Sequence, residues 1–240
     1  MTSSSQLWLS LTLLWTLCLT GPCLTAQEEY DKAYFSHVIG KNIRSYRLAS
    51  REARYAKDDD RLQFLFDSLV DHVVVGSYLD NFKVRKFGGR RIDLNYFKKP
   101  MYLITYADWC TPGVGEIPAL NDIVEKNHQS LDFVVLFWGP RKSTRKIKQK
   151  LHPKITILFV NEKENDHSFI IRRMKHTLGL PTTFLLNDQK RILNVDRLLT
   201  HHYGLVYEDS YNKHFQYFTQ KASLLKAQGV QGSGLQTATQ

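Results

Sequence analysis

The sequence predicts an α/β fold in which a mixed central sheet is flanked by helices. Two observations support this fold class. Short runs at 101–106, 132–138, 155–160, 181–187 and 191–195 have the length and composition of strands, and amphipathic stretches at helical spacing separate them. Such alternation alone permits several doubly wound sheets, so the order of the strands has to come from a further clue.

The stretch around Cys110 organises the rest of the chain. The apolar run from Met101 to Tyr106 is typical of a buried strand, and it ends abruptly before Trp109-Cys110. Pro112 suits the first turn of a helix, because its missing N–H is not needed there. Cys110 is therefore expected at a strand-to-helix junction, where unpaired N–H groups and the helix dipole favour a thiolate.

The segments on either side of this core have simpler patterns. Residues 27–72 predict a helical segment, with a break or cap at the three consecutive aspartates 58–60. Residues 81–94 predict a β-hairpin, because two alternating runs flank Gly88-Gly89. The core domain is expected to span 73–228 and to close with a helix at 208–226. The small, polar residues 229–240 predict a disordered tail.

The amino-terminal segment predicts export. Residues 1–26 carry no charged side chain and contain an apolar block at 7–19. This pattern is typical of a secretory signal, cut here before Gln27, and places the protein in the periplasm or cell envelope. Because no Lys or Arg precedes the apolar block, an uncleaved membrane anchor remains the alternative. Cleavage leaves Cys110 as the only cysteine, so the mature monomer cannot form an internal disulfide.

The residues around Cys110 resemble the thioredoxin superfamily, and specifically its TlpA-like, or redoxin, branch. That branch has the pattern W-C-x-P-C, followed by a glutamate and a proline. The matching residues of this chain are Trp109, Cys110, Pro112, Glu116 and Pro118. The second motif cysteine is replaced by Gly113, so the motif reads C-T-P-G. The hairpin at 81–94 also fits, because TlpA-like proteins commonly carry one before the first core strand.

The resemblance extends to a second element and implies a thioredoxin-like fold. By position, Pro181 corresponds to the cis-proline that faces the motif cysteine in these proteins. Leu180 is then the residue whose backbone meets an incoming peptide. One further departure concerns Ile104, which stands where thioredoxins often have a buried carboxylate.

Two function classes follow from this pattern. A dithiol oxidoreductase needs a second thiol to resolve its mixed disulfide, and Gly113 cannot supply one. The first class is a monothiol exchange protein that acts on protein or small-molecule thiols and disulfides, with Cys110 and Glu116 catalytic. The second is a non-catalytic module that binds peptides or partner proteins. In either class the substrate-binding residues implied by the resemblance are Trp109, Pro112, Leu180 and Pro181.

Other classes fit the residues poorly. A peroxidase of this fold needs Pro and Thr where the chain has Leu103 and Ala107. The pair His201-His202 supplies too few ligands for a closed metal site, and no cofactor is expected. The basic run 141–150 is interpreted as a solvated helix face rather than a nucleic-acid site, because it lacks interleaved aromatic residues. Membrane association is expected only if the amino-terminal segment stays uncleaved, and the net charge of +10 favours acidic partners or an anionic surface only diffusely. The sequence does not indicate an oligomeric state.

Overall fold

A seven-stranded mixed sheet is the centre of the structure, which is a computed structural model that describes residues 32–107, 109–160, 168–197 and 204–234. Residues 34–240 form one unit; of the other unit, 1–33, only residues 32 and 33 are described. The spatial order of the strands is β2–β1–β5–β4–β3–β6–β7. In chain order the strands are β1 (Lys83–Lys86), β2 (Arg91–Asp93), β3 (Met101–Ala107), β4 (Asp132–Trp138), β5 (Thr156–Val160), β6 (Thr182–Leu186) and β7 (Ile192–Arg197).

Helices cover both faces of this sheet. They are α1 (Phe35–Tyr55), α2 (Asp59–Leu69), α3 (Glu116–Asn127), α4 (Arg141–Lys148), α5 (Ser168–Thr177) and α6 (Tyr207–Gly234). A π-helical turn at Val70–Val74 follows α2, and a 3₁₀ turn at Leu94–Tyr96 follows β2. No helix within these described ranges is both long and apolar enough to cross a membrane.

Strand β3 is the central strand, and all seven of its residues are buried. It runs parallel to β4, with Thr105 opposite Leu136, and antiparallel to β6, with Thr105 opposite Thr182. A strand covered on both faces needs a nearly continuous apolar run, which is what the sequence provides. The predicted thioredoxin-like fold is confirmed. Strand β3 lies between β4 and β6, and β3–α3–β4 is followed, after α4, β5 and α5, by the antiparallel pair β6–β7 and a closing helix.

The two faces of β3 belong to two separate hydrophobic clusters. Met101 and Leu103 point into a cluster that they share with α1, α2 and α5. Tyr102, Ile104 and Tyr106 point into the other cluster, which α3 and α6 complete. The amino-terminal helices are therefore part of the core: Phe35 of α1 is fully buried and meets Phe184 of β6 edge to face, with ring centroids 6.0 Å apart. Burying one such ring contributes about 1.5–3 kcal/mol to stability.

Several local predictions are confirmed in the described residues. Asp58 caps α2, and its carboxylate accepts the backbone N–H of Arg61 at 2.8 Å. The predicted hairpin forms from β1 and β2, with Gly89 at a positive φ of 94° in its turn. Strand β1 also pairs with β5, which joins the hairpin to the main sheet.

The carboxyl-terminal helix is longer than predicted. Helix α6 continues to Gly234, so its last six residues lie in the segment 229–240, for which the composition predicts a disordered tail.

The start of helix α3 was predicted wrongly. Pro112 does not lie in its first turn; the helix begins at Glu116, after a turn in which the Glu116 N–H donates to the Gly113 carbonyl at 3.1 Å. The loop before α3 instead makes a tertiary contact with α6. The Gly115 N–H donates to Ser210 Oγ of α6 at 3.1 Å, and the two backbones approach so closely that a β-carbon on Gly115 would lie 2.2 Å from the Tyr211 nitrogen.

This approach predicts that Gly115→Ala destabilises the protein. The added methyl would overlap backbone atoms of Tyr211, which cannot rotate away, so helix α6 has to shift. Overpacking of this kind costs about 1–3 kcal/mol and occasionally more, so we expect the free energy of unfolding in urea to fall by about 2 kcal/mol or more. Gly88→Ala is the matched control, because nothing lies within 4 Å of its added carbon. Equal unfolding midpoints for the two variants would contradict the close approach.

Candidate functional site

Cys110 lies just beyond the end of the central strand. Its backbone N–H donates to the Ala107 carbonyl at 3.1 Å, and its sulfur accepts the Ala107 N–H at 3.3 Å. These two contacts fix the thiol against the end of β3. The side chain is half-buried and packs against the cluster that contains Tyr106. The adjacent Trp109 is 66% exposed, so the thiol lies beside a large apolar surface that is open to solvent.

The bond between Leu180 and Pro181 is cis, as the resemblance implied. Strand β6 starts at the next residue, where Thr182 pairs with Thr105 of β3 and its carbonyl accepts the Thr105 hydroxyl at 3.1 Å. Continuing this register places Pro181 at the same end of the sheet as Cys110. Pro181 is buried and Leu180 is half-buried. The structure therefore brings together the two distant parts of the chain on which the predicted site depends.

The late start of α3 changes the expected electrostatics of Cys110. The thiol lies six residues before Glu116, the first helical residue, rather than on the helix N-terminus. The helix dipole acts mainly within its first turn, so its support for a thiolate is weaker than the sequence suggests. Thr111, Pro112 and Gly113 form an irregular connection instead. The partial ionisation of Cys110 stays a prediction.

Glu116 is buried, with only 4% of its surface exposed. One carboxylate oxygen accepts a hydrogen bond from the Tyr106 hydroxyl, and the other accepts the Gly113 N–H at 3.0 Å. Burial raises the pKa of Glu116, and the two hydrogen bonds and the nearby His214 oppose that rise. Glu116 lies in the first turn of α3 but does not face solvent. Its carboxylate is held inside the site.

His214 of α6 is a component that sequence reasoning missed. It is 3% exposed, and its Nε2 lies 3.7 Å from Glu116 Oε2. Its Nδ1 lies 2.6 Å from the Ser210 carbonyl, an acceptor, so Nδ1 carries a proton and Nε2 is the atom turned toward Glu116. Ser210, His214 and Phe218 recur every four residues on the buried face of α6. That spacing indicates a buried histidine but does not reveal which loop it contacts.

Gly113 explains why His214 fits. A β-carbon built on Gly113 would lie 3.1 Å from His214 Cε1 and 3.2 Å from Ser210 Oγ, closer than most such contacts. The space of the second motif side chain is therefore occupied by the C-terminal helix. The lack of a side chain at Gly113 therefore leaves room for the His214 ring.

Tyr106 connects this cluster to the thiol. Burial first, and then the charge of Glu116, raise the pKa of Tyr106 well above its ordinary value, with the Cys110 sulfur as a smaller cause. The phenol therefore remains a hydrogen-bond donor at all physiological pH values. Its ring stacks on Phe137 of β4, with centroids 5.8 Å apart, which holds it in place. The cluster of Tyr106, Glu116 and His214 is called the buried acid–base cluster below.

A depression of about 450 Å³ lies next to the motif. Its walls are mostly apolar side chains of the motif loop and α3, namely Pro112, Val114, Ile117 and Pro118. Lys150 also lines it. Pro112, predicted to bind substrate, therefore lines this open depression. Leu180 and Pro181, the other predicted binding residues besides Trp109, do not line it and directly precede β6. Among the described residues no group of three or more metal-ligating side chains occurs, and His201-His202 lies outside them.

Comparison with known proteins gives structural likenesses only. The chain matches no protein-family model and no curated protein sequence. Similar solved structures include a putative thiol:disulfide interchange protein DsbE from Chlorobium tepidum (18% identity, TM-score 0.45, covering 62% of this chain and 96% of that one). Another is the thioredoxin domain of a thiol–disulfide oxidoreductase from Bacteroides vulgatus (15%, 0.43, 61% and 99%). A third is a secreted disulfide oxidoreductase from Mycobacterium tuberculosis (16%, 0.41, 55% and 93%).

The buried state of Glu116 predicts a specific pH dependence of stability. Because the pKa of Glu116 is higher in the folded protein than its ordinary value of 4.5, the folded state holds a proton that the unfolded chain has released. Wild-type stability therefore falls as the pH rises from about 4.5 toward the raised value. The glutamine in Glu116→Gln cannot ionise, so the stability of the variant does not fall for this reason. The difference in the free energy of unfolding between wild type and Glu116→Gln should therefore shrink as the pH rises from about 4.5.

Urea unfolding at a series of pH values measures this difference. Glu52→Gln replaces an exposed glutamate of α1 and serves as the control, with an expected curve parallel to that of wild type. If the curve of Glu116→Gln is also parallel to that of wild type, Glu116 is not held in the environment described here.

Proposed function

We propose that the protein exchanges thiols and disulfides through Cys110 alone, with an external thiol completing each cycle. The observation that carries this proposal is the position of Cys110. The thiol is half-buried beside the exposed Trp109, at the end of the sheet where the cis bond before Pro181 lies. The resemblance to thiol–disulfide oxidoreductases in both motif and fold supports the same class. Export before Gln27 is part of the proposal, because disulfide substrates persist in oxidising compartments.

The proposed reaction has two exchange steps. The Cys110 thiolate attacks one sulfur of a substrate disulfide, a Cys110–substrate disulfide forms, and the other substrate sulfur leaves as a thiolate that takes up a proton. A second thiol, from a small molecule or a protein, then loses its proton and attacks the mixed disulfide. Cys110 leaves as a thiolate, and the substrate sulfur ends in a new disulfide with the second thiol. The protein is unchanged after both steps.

The buried acid–base cluster has a proposed role in these proton movements. Glu116 and His214 both contact Gly113, three residues after Cys110. Since burial raises the pKa of Glu116, its carboxylate is suited to accept the proton that Cys110 loses on ionisation and to return it later. Tyr106 keeps that carboxylate oriented. Trp109, Pro112, Leu180 and Pro181 would hold the substrate chain beside the sulfur.

A binding module without turnover is the second candidate, and one observation favours it. His214 and Ser210 fill the space that a side chain at position 113 would need, so the site has little room for a second cysteine. A chain that keeps Trp109 exposed but turns nothing over would still present an apolar surface to a peptide. Reactivity of Cys110 separates this candidate from the first.

Incubation of the folded protein with oxidised glutathione tests the proposal. We expect the wild-type chain that begins at Gln27 to accumulate a Cys110 adduct, visible by mass under non-reducing conditions and released by a reductant, because that chain has no second cysteine to resolve it. Cys110→Ser, the matched control, should form none. An unmodified thiol in the folded protein that becomes modified only in denaturant would contradict exchange and leave the binding module.

A second arm of the same experiment uses the packing around Gly113. Gly113→Cys restores a second sulfur but crowds His214, whereas Gly113→Cys with His214→Ala has room for it. We expect the double variant to accumulate less adduct than either wild type or the single variant, because its new thiol can reach the mixed disulfide. Equal adduct in all three proteins would mean that residue 113 does not face the Cys110 sulfur.

A further inference from the structure

Two basic stretches that are far apart in the sequence meet in the fold. The hairpin at 81–94 contains five Lys and Arg residues and one acid, Asp93, which lies opposite Lys83; the stretch 139–155 contains seven Lys and Arg residues and no Asp or Glu. Strand β1 of the hairpin pairs with β5, and helix α4 lies just before β5 in the chain. The Arg141 guanidinium and the Lys148 amine of α4 both lie over the Phe87 ring of the hairpin, at 4.8 and 4.2 Å from its centroid.

A second ring holds the hairpin's own cations in place. The Lys86 amine lies 4.6 Å, and the Arg90 guanidinium 5.8 Å, from the centroid of Tyr96 in the 3₁₀ turn that follows β2. Helix α4 attaches through the buried Thr144 and the half-buried Ile147, which leaves Lys142, Arg145 and Lys146 exposed. We call the Lys and Arg side chains of the hairpin and of α4 the basic surface.

We propose that the basic surface binds the protein to anionic lipid bilayers. Each cation near an anionic bilayer strengthens binding roughly fivefold, so a cluster of this size is sufficient without an inserted apolar segment. The lipid headgroups form an extended negative plane, and a broad surface with twelve Lys and Arg residues and one carboxylate, Asp93, in the two stretches complements it. This inference concerns residues other than those of the proposed function and does not depend on Cys110.

Two features favour lipid over other anionic partners. A protein interface has an apolar centre, yet of the large apolar side chains on the described hairpin, its 3₁₀ turn and α4, only Tyr96 is largely exposed, at 45%. Single-stranded nucleic acids stack their bases on aromatic faces, but a cation already lies over each of the two rings, Phe87 and Tyr96. Binding to lipid phosphates that are spread over a bilayer surface requires neither an apolar centre nor accessible aromatic rings.

Flotation of the full chain with lipid vesicles tests this inference. Vesicles of phosphatidylcholine alone give the baseline, including any contribution of the apolar residues 7–19, and vesicles that also contain phosphatidylglycerol give the anionic signal. We expect wild type to bind the anionic vesicles more tightly. Lys142→Glu/Arg145→Glu/Lys146→Glu should weaken that binding by about a hundredfold or more, because three favourable charges become unfavourable.

The matched control reverses three exposed cations on α1, in Arg44→Glu/Arg47→Glu/Arg51→Glu, with the same change in net charge. It should keep most of the anionic binding, and circular dichroism of both triple variants verifies folding. Equal losses in the two variants would overturn the inference, because net charge rather than the basic surface would then be responsible. Tighter binding of wild type to a DNA duplex than to anionic vesicles at the same ionic strength would overturn it as well.

Discussion

The close approach of helix α6 to the loop before α3 determines the rest of the site. The two backbones meet at Gly115 and Tyr211, where a side chain on the glycine would occupy the space of main-chain atoms. The contact adds a hydrogen bond from the Gly115 N–H to Ser210, and it delays the start of α3 to Glu116. It also places His214 against Gly113. Gly113 and the late helix start therefore both lie where α6 packs against this loop.

The same contact buries a carboxylic acid beside the proposed reaction centre. Taking a carboxylate out of water is costly, so such a group either is paired and hydrogen-bonded or stays protonated. The hydrogen bonds from Tyr106 and Gly113 offset part of the cost, yet burial remains the largest cause of the raised pKa of Glu116. The raised pKa suits the proton-accepting role that we propose for Glu116. Ile104, which lacks a carboxylate, lies on the same face of β3 as Tyr106, so Glu116 supplies from α3 an acid that β3 does not.

Much of the fold could be predicted because its signals are local. A strand such as β3 that is buried on both faces needs an uninterrupted apolar run, and the glycine pair in the hairpin permits a tight turn. The position of Pro181 was predictable from the resemblance alone. The start of α3 was not, because Pro112 is a local signal and the contact of Gly115 with α6 joins residues almost a hundred positions apart. His214 was missed for the same reason. Its spacing with Ser210 and Phe218 shows a buried face of a helix but does not identify the loop that this face covers.

The activation of Cys110 by the folded site is the central claim, and the rate of its alkylation tests that claim most directly. Iodoacetamide is reacted with the chain at pH 7, once folded and once in denaturant, and modification of Cys110 is followed by mass. A half-buried thiol without activation reacts more slowly in the folded protein, because access is reduced. We predict faster reaction in the folded protein, because Glu116, whose pKa is raised by burial, is suited to accept the proton that the Cys110 thiol loses as it reacts. A folded-state rate equal to or below the denatured rate would contradict this account and assign Cys110 a structural role.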